Sequence, residues 1–157
     1  MDIKYLKGDA TQPVGNSNRI IVHVCNDIGG WGKGFVVAVS KRWKEPEIQF
    51  RNWAKSGEKF ELGEVQFVQV EPTLWVANLI GQHDIKRKGQ DGVPPVRYDA
   101  IRAGISKVSI FAREINAAVH MPRIGCGLAG GKWDQVEPIL QHELTAAGVE
   151  TFVYDFD

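Results

Sequence analysis

A chain of 157 residues can bury one sizeable core, removing roughly 70% of the unfolded surface from water, and is too short for two comfortable ones. Lysine plus arginine and aspartate plus glutamate both total 19, so the chain lacks the net positive field that a duplex nucleic acid rewards. Hydrophobic and charged fractions of 43% and 24% exclude a disordered or fibrous chain.

The first residues carry no basic stretch leading into an apolar one, and no run approaches the roughly 18 apolar residues of a membrane span. One domain over residues 1–157 is therefore expected, cytoplasmic and monomeric, with no membrane partner. Cys25 and Cys126 lie far apart without the CxxC spacing of a zinc or redox site, so both are expected as reduced thiols. No cluster of carboxylates or histidines offers a ligand set, and neither a metal nor a cofactor is expected.

In chain order, residues 2–7 alternate as a strand does, and 19–24 form a continuous apolar strand suited to the middle of a covered sheet. Apolar Phe35, Val36, Val39 and Trp43 predict a helix over 34–43; Ile48, Phe50 and Trp53 predict another over 46–56, stopped by Gly57. Strands at 65–70 and 74–80 flank Glu71, Pro72 and Thr73, which predicts a hairpin. Residues 83–96 are polar and aperiodic, a surface loop long enough to serve as a flap. A helix over 98–115, a short strand at 117–121, a helix over 132–147 stopped by Gly148 and a strand at 151–154 complete the chain. Helices alternating with strands in the second half imply parallel pairing: a three-layer α/β/α fold with a mixed, mostly parallel central sheet.

Two junctions carry chemistry. The strand ending near Cys25 and Asn26 runs into Gly29, Gly30, Trp31, Gly32 and Gly34 before the helix that begins with Phe35. The strand ending near Met121 runs into Gly125, Cys126, Gly127, Leu128, Ala129 and Gly130 before the next helix. Glycines let backbone N–H groups approach an anion closely, and the following helix adds partial positive charge. Two such nests at the carboxyl ends of parallel strands suit a diphosphate. The first loop is not GxGxxG, which weighs against a dinucleotide-binding oxidoreductase, and the absence of GxxxxGK[ST] excludes a P-loop nucleotidase.

The run Tyr5-Leu-Lys-Gly-Asp9, the strand through His23 to Asn26, the first glycine loop and Pro122-Arg-Ile-Gly-Cys-Gly-Leu128 together resemble the macrodomain signatures, in that order and over the whole chain. The resemblance is to the compact branch of ADP-ribose-1''-phosphate phosphatases and glutamate-linked ADP-ribose glycohydrolases. It implies binding of ADP-ribose, ADP-ribose-1''-phosphate or ADP-ribosylated macromolecules, either with turnover or as a reader without it.

By the same resemblance, Asp9 accepts the adenine amino group with Ala10 beside it, and Asn26 faces the distal ribose. The two loops wrap the ribose and diphosphate, and Tyr154 or Phe156 lines the adenine pocket. The lysine and aspartate of the glycohydrolases fall on Gln82 and Ala129, which can neither form a Schiff base nor transfer a proton. Lys86 and Lys88 stand nearby as solvated loop charges. His23 is then the candidate base, with Asn26 and Gln82 as further catalytic candidates and His83 and Asp84 as candidates for orienting water. Asp9 as a turn cap and His23 as a core residue are the structural alternatives.

Overall fold

The computed structural model describes residues 1–85 and 93–156, apart from the side chain of Leu128. The described strands and helices run β1 (Lys4–Lys7), β2 (Arg19–Asn26), α1 (Phe35–Arg42), α2 (Glu45–Ser56), β3 (Val65–Glu71), β4 (Leu74–Gln82), α3 (Tyr98–Ile115), β5 (Ala118–Met121), α4 (Trp133–Glu143) and β6 (Thr151–Asp155). The strands form one sheet in the order β1-β6-β5-β2-β4-β3. Every pairing in it is parallel except the β3–β4 hairpin.

Side chains alternate across a strand, so β2 splits its apolar residues between two cores. Ile20 and Val22 join Leu79, Ile101, Ile105, Val136 and Leu140 under α3 and α4, whereas Ile21 and Cys25 join Val36, Val39, Phe50 and Ile80 under α1 and α2. A strand buried on both faces explains the unbroken apolar run in the sequence. The resulting architecture is the expected α/β/α arrangement around a mixed, mostly parallel sheet. Gly104 brings α3 close to the sheet: a Cβ there would lie 2.4 Å from Leu79 Cγ.

Differences from the sequence expectation cluster at element ends. Strand β1 starts at Lys4 and β2 continues to Asn26, two residues beyond its apolar run. Helix α4 stops at Glu143 and is followed by a 3-10 turn over Thr145–Ala147. There the Thr145 hydroxyl donates to the Gln141 carbonyl at 3.0 Å, a side-chain bond that competes with the helical ladder. A second, unexpected 3-10 turn occupies Gly127–Ala129.

Parallel pairing puts five carboxyl ends on one edge of the sheet. Along that edge lie Gly8 and Asp9 after β1, Phe156 after β6, the loop at 122–132 after β5, the loop at 27–34 after β2 and His83 after β4. Open α/β sheets bind ligands at this edge.

Candidate functional site

The loop at 27–34 is organised by one side chain. Asn26 Oδ1 accepts from the Ile28 N–H at 3.1 Å and the Gly30 N–H at 2.9 Å, while Nδ2 donates to the Gly30 carbonyl at 3.1 Å. Its amide is thus committed to shaping the loop. Gly29, at φ 79°, packs so closely on α2 that a Cβ would lie 2.8 Å from Ala54 Cβ. Gly34 precedes α1 at φ 83°, with no side-chain cap and no acidic residue in the first turn, so no side chain neutralises the N–H groups that open the helix. Gly32 and Gly34 are exposed, whereas the Trp31 ring turns inward and donates from Nε1 to Ser40 Oγ at 2.7 Å. Phe35 is half-buried against His23.

Backbone groups organise the second loop. The Gly131 N–H donates to the Gly125 carbonyl at 2.7 Å and the Gly130 N–H to the Gly127 carbonyl at 2.9 Å. A Cβ on Gly131 would sit 2.2 Å from the Gly125 oxygen, so the closure requires glycine. Gly127 and Gly130 are exposed, while Ala129 is buried and its carbonyl accepts from the Val96 N–H at 3.0 Å. Burial pushes the half-buried Cys126 thiol above its ordinary range despite the nearby Arg123 charge. The Lys132 that precedes α4 provides no side-chain cap either.

At the β1 end, Asp9 Oδ1 accepts from the Thr11 N–H at 2.8 Å and from the Thr11 hydroxyl at 2.7 Å. Its Oδ2 lies 3.7 Å from Arg42. Burial alone would raise this carboxyl, but the Thr11 hydrogen bonds and the Arg42 charge outweigh it and hold the group below the usual carboxylate range. Asp9 therefore does cap a turn, with one oxygen. Ala10 is buried beside it.

Tyr154 departs from the expected cleft-lining role. Its side chain is buried, and its hydroxyl accepts from the Val14 N–H at 2.9 Å and lies 2.9 Å from His120 Nδ1. Phe156 is 80% exposed and follows Asp155, whose carbonyl accepts from the Gly8 N–H at 2.8 Å, which sets Phe156 near Asp9.

His23 likewise loses the role of candidate base. It is 1% exposed, with the Trp31 ring edge-on at 5.2 Å and Nε2 donating to Asn78 Oδ1 at 2.6 Å. Asn78 in turn donates to the Pro46 carbonyl and to Gln66 Oε1. Desolvation pushes the imidazole down to about 4, only partly opposed by the Asn78 contact, so the buried ring is neutral at pH 7. This is a satisfied core histidine. Cys25 does have a histidine neighbour, with Sγ 3.8 Å from His23 Nε2, but burial drives its thiol far above the ordinary range and leaves it without nucleophilic character.

The exposed chemistry lies between β2 and β4. The Asn26 and Gln82 positions are partners in the parallel register, so the residues that follow, Asp27 and His83, emerge side by side. His83 Nδ1 lies 2.7 Å from Asp27 Oδ2, and the Asp84 N–H donates to Asp27 Oδ1 at 2.7 Å. The His83 side chain is 58% exposed and that of Asp27 16%. Gln82 is turned aside, its Nε2 donating to the Asp84 carbonyl at 2.9 Å. The sequence reading singled out His83 and missed Asp27, although adjacency of β2 and β4 would have found it.

The His83 N–H donates to the Pro95 carbonyl at 2.8 Å, and Val96 bonds to Ala129, so residues 95–96 tie the His83 corner to the second glycine loop. Lys86, Lys88 and the rest of the middle of the expected 83–96 flap lie outside the described residues.

No family model matches the chain. Among curated proteins it is similar to the chromodomain-helicase-DNA-binding protein 1-like of Mus musculus, 29% identical over 98% of this chain and 18% of that protein. The chain thus spans less than a fifth of the length of that relative and, at 15%, of the Danio rerio counterpart. An ADP-ribose 1''-phosphate phosphatase of Lodderomyces elongisporus is 22% identical over 99% of this chain and 100% of its own.

Among solved structures, a protein of unknown function from Bacteroides thetaiotaomicron is 56% identical, with a TM-score of 0.96 over 99% of both chains. A macrodomain protein from Streptomyces coelicolor is 50% identical, with a TM-score of 0.86 over 99% of this chain and 100% of that one. Identity at that level over the full length of both chains, together with the six-stranded sheet and its two glycine loops, means that this chain belongs to the macrodomain family.

Proposed function

We propose that this macrodomain binds ADP-ribose or a derivative of it, free or attached to a macromolecule, with the diphosphate between the loops at 27–34 and 125–131. The observation that carries this reading is the pairing of two glycine loops on the carboxyl edge, each leading into a helix with no side-chain cap. Backbone N–H groups and two helix N-termini meet a diphosphate without a lysine cluster, consistent with equal totals of 19 for basic and acidic residues.

The adenine lies toward β1 and β6 in this reading. There Asp9 Oδ2 accepts from the exocyclic amine, and Phe156 supplies a face for stacking. The distal ribose lies toward Asn26, Gly127 and His83. The phosphatase name of the Lodderomyces relative supports a ligand of this class. Gln82 and Ala129 stand where the resemblance places the lysine and aspartate of the glycohydrolases, which weighs against a route through a Schiff base at Gln82 and a proton transfer at Ala129.

Calorimetric titration with ADP-ribose tests the reading. Saturable one-to-one binding is expected, with ADP binding more weakly because it lacks the distal ribose. No heat at millimolar ADP-ribose would sink it.

A further inference from the structure

We propose that Arg42 is a positioning residue for the base: acting through Thr11, it fixes the Asp9 carboxylate so that the cleft takes a 6-aminopurine and rejects a 6-oxopurine. This rests on the ADP-ribose reading of the same cleft. Arg42 Nε can only donate, and it does so to Thr11 Oγ1 at 2.8 Å, which leaves the hydroxyl proton for Asp9 Oδ1 at 2.7 Å. The Thr11 N–H donates to the same oxygen at 2.8 Å. Oδ1 is thereby committed twice, whereas Oδ2 has Arg42 Nη2 at 3.7 Å, an ion-pair distance too long for a hydrogen bond. One carboxylate oxygen is anchored and the other is left to accept from a ligand.

A cap on the turn at Asp9 needs only the Thr11 N–H; the guanidinium sets the hydroxyl and, with it, the tilt of the carboxylate. Thr11 is 2% exposed, so water does not compete for that hydroxyl, while the Asp9 side chain keeps an open side at 26%. Against the pull of burial, the Thr11 bonds and the Arg42 charge hold the carboxyl below its usual range, so Asp9 is ionised at neutral pH and can only accept. An exocyclic amine satisfies Oδ2, whereas a carbonyl in the same place would set two acceptors against each other with no proton between them.

Arg42 also closes α1, the helix whose uncapped first turn follows the first glycine loop. Eight residues, about 12 Å of rigid helix, therefore separate the N–H groups suited to the diphosphate from the group that orients the base acceptor. Any cation in the last turn would favour the helix dipole, but only the planar fork of arginine donates to Thr11 while a second nitrogen stays beside Asp9; a lysine ammonium is a single point charge.

Calorimetric titrations with ADP-ribose and with its hypoxanthine counterpart, IDP-ribose, test this on wild type, R42M, R42K and T11V. Wild type should bind ADP-ribose at least about tenfold more tightly than IDP-ribose, the scale of one charge-assisted hydrogen bond. R42M keeps the stem and removes every donor, and T11V removes the hydroxyl. Each should weaken ADP-ribose about tenfold and leave IDP-ribose within about twofold, because the hypoxanthine ligand makes no use of Oδ2. R42K should fall with R42M.

Parallel loss of both ligands in R42M and T11V would assign Arg42 to the stability of the fold and overturn the proposal. Wild-type affinity in R42K would do the same, reducing Arg42 to a helix-end charge. Wild-type protein that binds the two ligands alike would also overturn it and leave ADP-ribose binding standing; binding of neither would remove both readings.

Discussion

The two glycine loops occupy equivalent places at the ends of neighbouring parallel strands, yet they are held in opposite ways. The loop at 27–34 hangs on the Asn26 side chain, with aromatic rings and His23 packed beneath it. The loop at 125–131 closes on its own backbone, Gly131 to Gly125 and Gly130 to Gly127. Glycine-rich composition looks alike in both, but the first loop can be loosened by changing a single side chain. The second can be broken only where a Cβ meets the backbone.

That contrast orders the expected effects. Gly131→Ala forces a methyl onto the Gly125 oxygen, and the loop must reopen; ADP-ribose affinity should fall by about 100-fold, roughly 3 kcal/mol, in calorimetry. An affinity unchanged by this substitution would show that the second loop does not contact the ligand.

Acid should act on the first loop instead. His23, packed beneath that loop, is fully buried, and desolvation depresses it to about 4. It is neutral in the fold and protonates in the unfolded chain near its ordinary 6.5, so its stabilisation is complete above that pH and is lost as pH falls toward 4. Denaturant melts should lose about 2 kcal/mol from this histidine between pH 7 and 5. Hydrogen exchange at 27–34 should lose protection before 125–131 does. Equal loss in both loops would erase the distinction drawn between them.

Asn26→Ala removes three hydrogen bonds from the first loop. It should weaken ADP-ribose by about tenfold, 1–2 kcal/mol, since the loop must be ordered at binding. The smallest effect is expected at Phe156→Ala, a loss of about 0.5–1 kcal/mol in affinity without a change in melting temperature, as the ring is exposed and supports no core. An affinity that does not move would place the adenine away from β6.

Much of this was legible in the sequence because periodicity reports burial. The doubly apolar run of β2, the span of α3 and the proline-bearing β3–β4 turn each fall where expected. The glycine loops were legible as loops. What holds them was not, because Asn26 bonding to Gly30 and Gly131 bonding to Gly125 depend on backbone angles that composition does not encode.

The sequence leaves His23 between a base and a core residue for a related reason: a strand pattern shows which face a residue shares, but not that Trp31 folds back to cover it. The family resemblance offers Tyr154 or Phe156 for the cleft without choosing between them, and the fold turns Tyr154 toward Val14 and His120. Asp27 was overlooked because its partner is 56 residues away and becomes adjacent only once β2 and β4 are paired.

The sheet also joins β1 to β6, with Lys4 opposite Phe152 and Lys7 opposite Asp155. That contact closes a loop of about 150 residues, a large entropic step that local contacts cannot prepay. On a ribosome, β1 must wait until β6, about 150 residues later, has emerged before it gains its partner. Asp9, two residues past β1, is therefore set in place late, and the phosphate-facing loops can form before the adenine end of the cleft exists. Refolding followed in time should recover protection at β2 and β4 first, and the ability to hold a nucleotide only when β1 has docked.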